Sequence, residues 1–492
     1  MSDRRSRAAV NDDRRYNSPV RSQDEPPNDP SAAAAPSRGS ARRRITRLVR
    51  APFGDVPGPF GAPRAPASAL DDQPTPAQVR GMRAFWWDGF WANVPETVLA
   101  TYLGLYVIAF GGSTGQVALV ASLSSLFAAL AFFPGARLVE TFGHRKLIVL
   151  ATGGGVSRVA LLLLAAVPFV ARGEAAIWLV IVFASVRAFF GYFAIPAWTS
   201  LTADVVPIGI RGRFFASRGF GMSFTALVTA PIAGFLLDRY TGLEGWQIVW
   251  LFAFTAAALS TWSYGQIPDP APHRDVVARA EARRAGGVIA SVLSDRNFVW
   301  YLAGTAVWNI GLQASGPFFN IYLAENLHAS ALWIGSLSAL MSVTGLGGLV
   351  YFGRLMDERG TKWLMVVTGL LIPVLPAAWV FVTAPWQVIF INTAAGVLWA
   401  GYQLATLNMM IVIAPPDQRA RYAATSQTVV FAAAFAGPLL GGQIIGMFGY
   451  RAVFGFSAVG RMAGTLIVLR FVTARFERGQ PAMRAGEAAA AP

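Results

Sequence analysis

Two ionisable residues stand deep inside apolar stretches of this 492-residue chain. Glu96 lies about 12 residues into one stretch and Arg187 similarly far into another, roughly 18 Å from the nearer end if both are helical. At mid-depth in lipid an ionisable group costs roughly 2.5–3.5 kcal/mol on insertion scales, so it usually faces a cavity and takes a partner. Glu96 and Arg187 are natural partners, and Asp88, earlier in the first stretch, is a second candidate acid. The chemistry on offer is proton movement. A carboxylate that loses its arginine in a dry cavity takes up a proton, and return of the arginine releases it. The plain alternative is a permanent Glu96–Arg187 bridge that fixes two helices and moves no proton. Arg158 and Arg461 are also deep, and each is expected to reach toward the membrane surface or bind a neighbouring helix.

Further along, polarity comes without charge. Asn309, Gln313, Gly316 and Asn320 fall at i, i+4, i+7 and i+11, one face of a helix, with Trp308 beside them. Asn392, Trp399 and Gln403 repeat that spacing in another stretch. Amides offer both donors and acceptors and Trp an apolar face, which suits a neutral or zwitterionic organic solute. Hydrogen bonds between helices, each contributing ~0.6–2 kcal/mol, are the alternative. The chain has no cysteine and only His144, His273 and His328, far apart in sequence, so no metal cluster is expected. Gly153-Gly154-Gly155 lies inside an apolar stretch with no Gly-Lys-Ser/Thr after it, which argues for helix contact and against a nucleotide site. No nucleophile–base grouping is visible, so a membrane enzyme is disfavoured.

The elements that hold these residues are membrane spans. Hydrophobic residues make up 54% of the chain and charged ones only 14%, too few to cover a soluble protein of this size. Apolar runs long enough to cross a ~30 Å core predict helices over 84–109, 115–136, 147–170, 175–200, 214–237, 246–266, 297–322, 331–353, 362–384, 387–413, 422–446 and 452–472. Residues 1–80, rich in Arg, Pro, Ala and Ser, read as a disordered basic tail; 267–296 as a charged linker; 476–492 as a second tail. The net charge of +15 falls in these tails and in alternate loops. That is the pattern of orientation in a membrane, with both termini cytoplasmic, and it argues against a nucleic-acid partner.

The two sets of six spans carry the same loops. Leu138-Val139-Glu140-Thr141-Phe142-Gly143-His144-Arg145-Lys146 recurs as Leu355-Met356-Asp357-Glu358-Arg359-Gly360-Thr361-Lys362, and Pro207-x-x-x-Arg211-x-Arg213 recurs as Pro415-x-x-x-Arg419-x-Arg421. Duplicated halves of a spanning chain suit a transporter that rocks about a central site. Gly143 and Gly360 permit tight turns, and the loop charges can hold one side shut. The alternative is that they only set topology, exposed pairs contributing ~0–1 kcal/mol.

Gly353-x-Leu355-x-Asp357-x-x-Gly360-x-Lys362 resembles the signature loop of the major facilitator superfamily, and Arg187-x-x-x-Gly191 resembles another of its elements. In the first copy Ala136 replaces the glycine, Glu140 the aspartate and His144 the usual arginine. The resemblance, over roughly residues 84–475, implies that spans 1, 4, 7 and 10 line the cavity while 3, 6, 9 and 12 lie outermost. The efflux antiporters of that family carry Gly-Pro-x-x-Gly-Gly in span 5. Here the complete form is Gly437-Pro438-x-x-Gly441-Gly442 in span 11, and span 5 keeps only Ala230-Pro231-x-x-Gly234. The sugar-uptake signature after span 6 is absent.

The sequence therefore predicts an all-α membrane protein of twelve transmembrane helices in two pseudo-symmetric six-helix bundles, 81–266 and 297–475. The expected function is secondary transport of a small organic solute by alternating access, coupled to protons, without cofactor or metal, as a monomer in the cytoplasmic (inner) membrane of a bacterium. The alternatives are an uncoupled facilitator, a drug-type efflux carrier or a non-transporting sensor. Glu96, Asp88 and Arg187 are the proton candidates. Trp308, Asn309, Gln313, Asn320, Asn392, Trp399 and Gln403 are the substrate candidates. Glu140, Gly143, Arg145, Lys146, Arg211, Arg213, Gly353, Asp357, Gly360, Lys362, Arg419 and Arg421 are the gate candidates.

Overall fold

In lipid a backbone can satisfy its own polar groups by closing into helices, and the computed structural model is built of them. It describes residues 74–268, 293–415 and 418–474, among which there is no strand. The expected tails, and nearly all of the expected linker, lie outside the described residues. The helices are α1 (Pro76–Ala109), α2 (Thr114–Phe142), α3 (Arg145–Ala151), α4 (Ser157–Val170), α5 (Gly173–Phe193), α6 (Ile195–Val205), α7 (Arg211–Arg239) and α8 (Leu243–Gly265). They continue as α9 (Arg296–Ser315), α10 (Phe319–Glu325), α11 (Ala331–Arg359), α12 (Thr361–Leu371), α13 (Val374–Trp379), α14 (Gln387–Ile413), α15 (Arg419–Phe448) and α16 (Tyr450–Phe471). Helix occupies each expected span, and ten stretches are long and apolar enough to cross a membrane. The helices outside that ten are α1, α9 and the short α10; α1 and α9 carry Asp88, Glu96, Asn309 and Gln313.

Local sequence explains the starts and the breaks. Thr75 and Ser113 each cap a helix reciprocally with the glutamine three residues on, and Pro76 takes the first turn of α1, where its missing N–H costs nothing. Gly143 ends α2 at φ 67° and Gly360 ends α11 at φ 86°, conformations that a side chain would strain. Expected span 7 is interrupted at Gly316–Phe318, where Pro317 has no N–H to donate, and expected span 9 turns at Pro373 and stops at Trp379. Expected span 3 contains a π turn over Thr152–Val156, at the glycine triplet.

The helix neighbours repeat between the halves. In the first, α1 lies on α7 and α8, α5 on α2 and α4, and α4 on α8. In the second, α9 lies on α15 and α16, α14 on α11 and α12, and α12 on α16. Those are the same five relations under the duplication. The halves join through α2 with α15 and α7 with α11, also symmetry-equivalent. Large apolar side chains such as Leu130, Phe133, Phe169, Val350 and Phe390 point outward, as lipid-facing residues must.

The join lies at the end opposite the repeated loops. Tyr102 donates from its hydroxyl to the carbonyls of Ala230 (2.7 Å) and Ala331 (3.0 Å). A Cβ on Gly234 would overlap the Ala331 carbonyl, and one on Gly335 the Ala230 carbonyl. Across the pseudo-axis, a Cβ on Gly442 would sit 2.9 Å from that of Ala118. Gly234 of span 5 and Gly442 of span 11 thus serve close approach between the halves. Asp238 accepts from the backbone N–H groups of Ala331 and Leu332, both at 2.9 Å, and so anchors the exposed start of α11. In this cysteine-free chain the pair Ala118→Cys and Gly442→Cys should cross-link on mild oxidation, the helices easing apart from a 2.9 Å Cβ separation to the roughly 3.8 Å of a disulfide. Adding Asp238→Ala should lower that yield. Loss of the anion at the helix start weakens the join by about 1 kcal/mol, roughly a five-fold shift in the ratio of joined to parted ends. Gel mobility of the oxidised protein reads both outcomes.

Candidate functional site

A cavity of about 400 Å³ opens within the first half, lined from α1, the α3–α4 segment, α5–α6, α7 and α8. Its charged residues are Asp88, Glu96, Arg158, Arg187 and Arg218. Glu96 and Arg187 form the expected ion pair, joining α1 to α5. The Glu96 side chain keeps 56% of its surface exposed while that of Arg187 keeps 14%, so the acid is the accessible partner.

Asp88 is paired differently. Its carboxylate accepts from Ser260 Oγ at 2.7 Å and from Arg218 Nη2 at 3.4 Å, with both charged side chains about one-tenth exposed. Arg218 also donates from Nε to the Phe85 carbonyl at 3.2 Å, and its guanidinium lies 5.3 Å from the Trp198 ring centre. Gly89 makes room for it, since a Cβ there would approach Arg218 Cζ to 2.5 Å. The sequence held a signal for Arg218 that residue type alone did not reveal. It stands four residues into the span expected at 214, and Asp88 stands four residues into the span expected at 84. Odd-numbered spans run in the same direction, so the two share a depth.

Arg158 was expected on an outer helix, reaching for the surface or binding a neighbour. It does bind a neighbour, with Nη2 at 3.5 Å from Ser260 Oγ on α8, but it also lines the cavity. The π turn of that span, Thr152–Val156, ends two residues before it. Gly153 and Gly154 line the cavity too, and a Cβ on Gly154 would come within 2.7 Å of Thr261 Cγ2. Arg461 does bind a neighbouring helix: buried, it donates from Nη2 to Ser315 Oγ at 3.2 Å.

None of the second-half stripe residues lines this cavity. Trp308 is buried against Tyr402, ring centres 4.3 Å apart, with Trp399 edge-on at 5.6 Å. Asn309, Asn320 and Asn392 donate to the carbonyls of Thr305 (2.8 Å), Thr101 (3.0 Å) and Leu337 (3.3 Å). The Asn320 bond crosses between the halves. Gln313 is half-buried and Gln403 exposed.

The repeated loops tie helix ends within a half. Arg145, buried, bonds Asp204 at 2.5 Å and Ser200 Oγ at 2.8 Å; Lys146 donates to the Ile267 carbonyl at 2.8 Å. Arg211 donates to the carbonyls of Ala203 (3.0 Å) and Val206 (3.2 Å), and Lys362 to that of Leu469 at 3.4 Å. Glu140 and Arg213 are engaged as well. Asp357 and Arg419 are exposed, while Gly353 and Arg421 are half-buried. Nearer mid-depth the rings of Tyr192 and Phe431 touch across the halves, centres 5.7 Å apart. Asp204, Ser260 and Tyr192 carried no signal in the sequence beyond being polar residues near or within a span.

The family profile of the Major Facilitator Superfamily matches residues 82–320 and 309–492. The chain belongs to that superfamily. Among its relatives are proteins called multidrug resistance protein MdtG, from Serratia proteamaculans (strain 568) and Salmonella typhi. The first is 26% identical over 391 residues, covering 77% of this chain and 90% of the relative; the second is 26% identical over 388 residues, covering 76% and 91%. Similar solved structures include a D-xylose-proton symporter (TM-score 0.63, 12% identity, 81% of this chain and 97% of that one) and the nucleoside transporter NupG (TM-score 0.61, 12% identity, 80% and 99%). A major facilitator fold with this family match makes the chain an integral membrane transporter, and its relatives are transporters rather than enzymes.

In this transporter the pair Asp88–Arg218 is buried, and removing one partner strands the other charge. Arg218→Gln should therefore lower stability by about 3 kcal/mol. Asp88→Asn combined with Arg218→Gln should recover most of that loss. Thermal unfolding of the purified variants in detergent measures the cycle, and equal losses in the single and double variants would contradict the pairing.

Proposed function

We propose that this major facilitator protein carries a small organic solute by alternating access and couples that movement to protons through Glu96 and Asp88. The observation that carries the reading is the pairing of both acids with arginines inside one cavity, Glu96 remaining accessible. Rearrangement of α1 against α5 separates Glu96 from Arg187, and the freed carboxylate takes up a proton that it returns when the pair re-forms. The halves touch at the end opposite the repeated loops, which supports a state open toward the loop end. One similar solved structure, a bacterial homolog to the human lysosomal transporter Spinster, is described as inward-facing and unoccupied (TM-score 0.60, 16% identity, 81% of this chain and 95% of that one).

The basic residues of the loops support a cytoplasmic side for that end, with both tails and the 267–296 linker, and the bacterial relatives favour the inner membrane. In the opposite state the charges of the repeated loops, Glu140, Arg145, Lys146, Arg211 and Arg213 with Asp357, Lys362, Arg419 and Arg421, close the cytoplasmic end. The bundles 81–266 and 297–475 rock as units, and since the cavity is built from one chain the monomer suffices. No second-half residue lines the cavity in this state; in the proposed cycle Trp399, Gln313 and Gln403 meet the solute when the halves rock together, with Trp308 backing them. The names of the curated relatives favour outward movement of a drug-like solute, so efflux is the second reading.

Proteoliposomes with an imposed pH gradient test the proposal. A screened solute should accumulate against its gradient in wild type. Glu96→Gln should abolish that accumulation while retaining exchange down a solute gradient. Accumulation that ignores pH would remove proton coupling and leave the carrier, and the direction of net flux separates efflux from uptake.

A further inference from the structure

The two carboxylates of the first-half cavity are each spoken for by an arginine, and the third arginine is left over. Arg158 has no carboxylate in ion-pair reach among the described residues; its resolved partner is Ser260 Oγ at 3.5 Å, a hydroxyl already given to Asp88. The Nε groups of Arg158 and Arg187 are both buried without a hydrogen-bond partner. Asp88, Glu96, Arg158, Arg187 and Arg218 together leave the cavity one positive charge in excess. A desolvated cation at this depth is costly when uncompensated. Arg158 nevertheless lines the cavity. Aromatic side chains of Tyr192, Trp198 and Tyr264 line the same space, and a volume of about 400 Å³ exceeds what an inorganic ion fills.

We infer that this cavity receives an organic monoanion, a carboxylate or comparable oxyacid on an apolar body, with Arg158 as the residue that meets its charge. The inference deepens the transport reading of the same cavity and rests on it for the cavity's purpose. One negative charge neutralises the site without disturbing either acid–arginine pair, so the solute and the proton occupy different groups. The guanidinium of Arg158, unlike an ammonium, offers a planar fork to a carboxylate. The neutral or zwitterionic solute expected from the amide stripes does not use this excess charge. The amide donors of Asn309, Asn320 and Asn392 are already given to backbone carbonyls.

The test uses the purified full chain in an uncharged detergent at constant ionic strength, with three probes of one shape: 1-naphthoate, 1-naphthamide and 1-naphthylmethylammonium. Binding is followed by thermal stabilisation and by tryptophan fluorescence, Trp198 being in the cavity wall. Naphthoate should bind at least ten-fold more tightly than either analogue, and an excess of sulfate should not displace it. Arg158→Gln should weaken naphthoate at least ten-fold and leave the amide unchanged, while Arg158→Lys should retain the preference for the anion. Equal binding of acid and amide, preference for the ammonium, no binding of naphthoate, displacement by sulfate, or wild-type affinity in Arg158→Gln would each overturn the inference. The wild-type comparison needs no variant to fold. Naphthoate counterflow in proteoliposomes is the separate arm. Charge-selective binding without flux would refute transport while sparing the anion site, and flux of the amide or ammonium without anion preference would do the reverse.

Discussion

A charge inside a hydrocarbon layer must be answered by another charge or by water, and this requirement organises the first half of the protein. Glu96 on α1 meets Arg187 on α5; Asp88 on α1 meets Arg218 on α7 and Ser260 on α8. One helix therefore holds two acids that tie it to three neighbours. Each tie is strong only while its geometry holds, because in a dry setting a stranded partner is far more costly than an absent pair. A fixed arrangement would gain nothing from such groups that apolar contact could not supply. They suit a structure that exchanges partners.

The interface between the halves follows the opposite logic. There the contacts rest on small residues, with Gly234 and Gly335 letting α7 and α11 approach at carbonyl distance, and Gly442 doing the same against α2. Few hydrogen bonds cross among the described residues: Tyr102 to the Ala331 carbonyl, Asp238 to a helix start, Asn320 to Thr101. Lipid offers little hydrophobic incentive for helix association, so such an interface holds by shape and a handful of hydrogen bonds. It can part at modest cost. The polar core of one half and the thin join between halves are thus complementary requirements of a moving carrier.

Much of this was open to inspection in the sequence. Apolar runs marked helices, the duplicated loops announced the pseudo-symmetry later seen in the helix neighbours, and depth alone paired Glu96 with Arg187. Of the glycine–proline elements, Gly234 and Gly442 meet the other half, whereas Gly437 and Gly441 pack against Gln313, Ala314 and Phe318 of their own half. Arg158 was expected on an outer helix because the family resemblance places span 3 outermost, yet its side chain lines the cavity. Arg218 went unnoticed because a charge near a span end ordinarily signals the interface with water. Breaks at Pro317 and Pro373 lay within runs whose composition stayed apolar, so hydropathy passed over them.

Composition and repetition by themselves determined what the chain must be: buried in lipid, helical, doubled, and carrying compensated charge at mid-depth. Those properties depend on residue type and linear spacing, both of which transfer energy local to each helix can dictate. Tertiary structure alone decided that Arg218 serves Asp88, which guanidinium is left over, and which end of the two halves is joined. Partners such as Asp88 and Ser260 lie 172 positions apart, and their meeting depends on how whole helices rotate and slide against one another. That choice rests on small differences among many contacts, and no single stretch of sequence contains them.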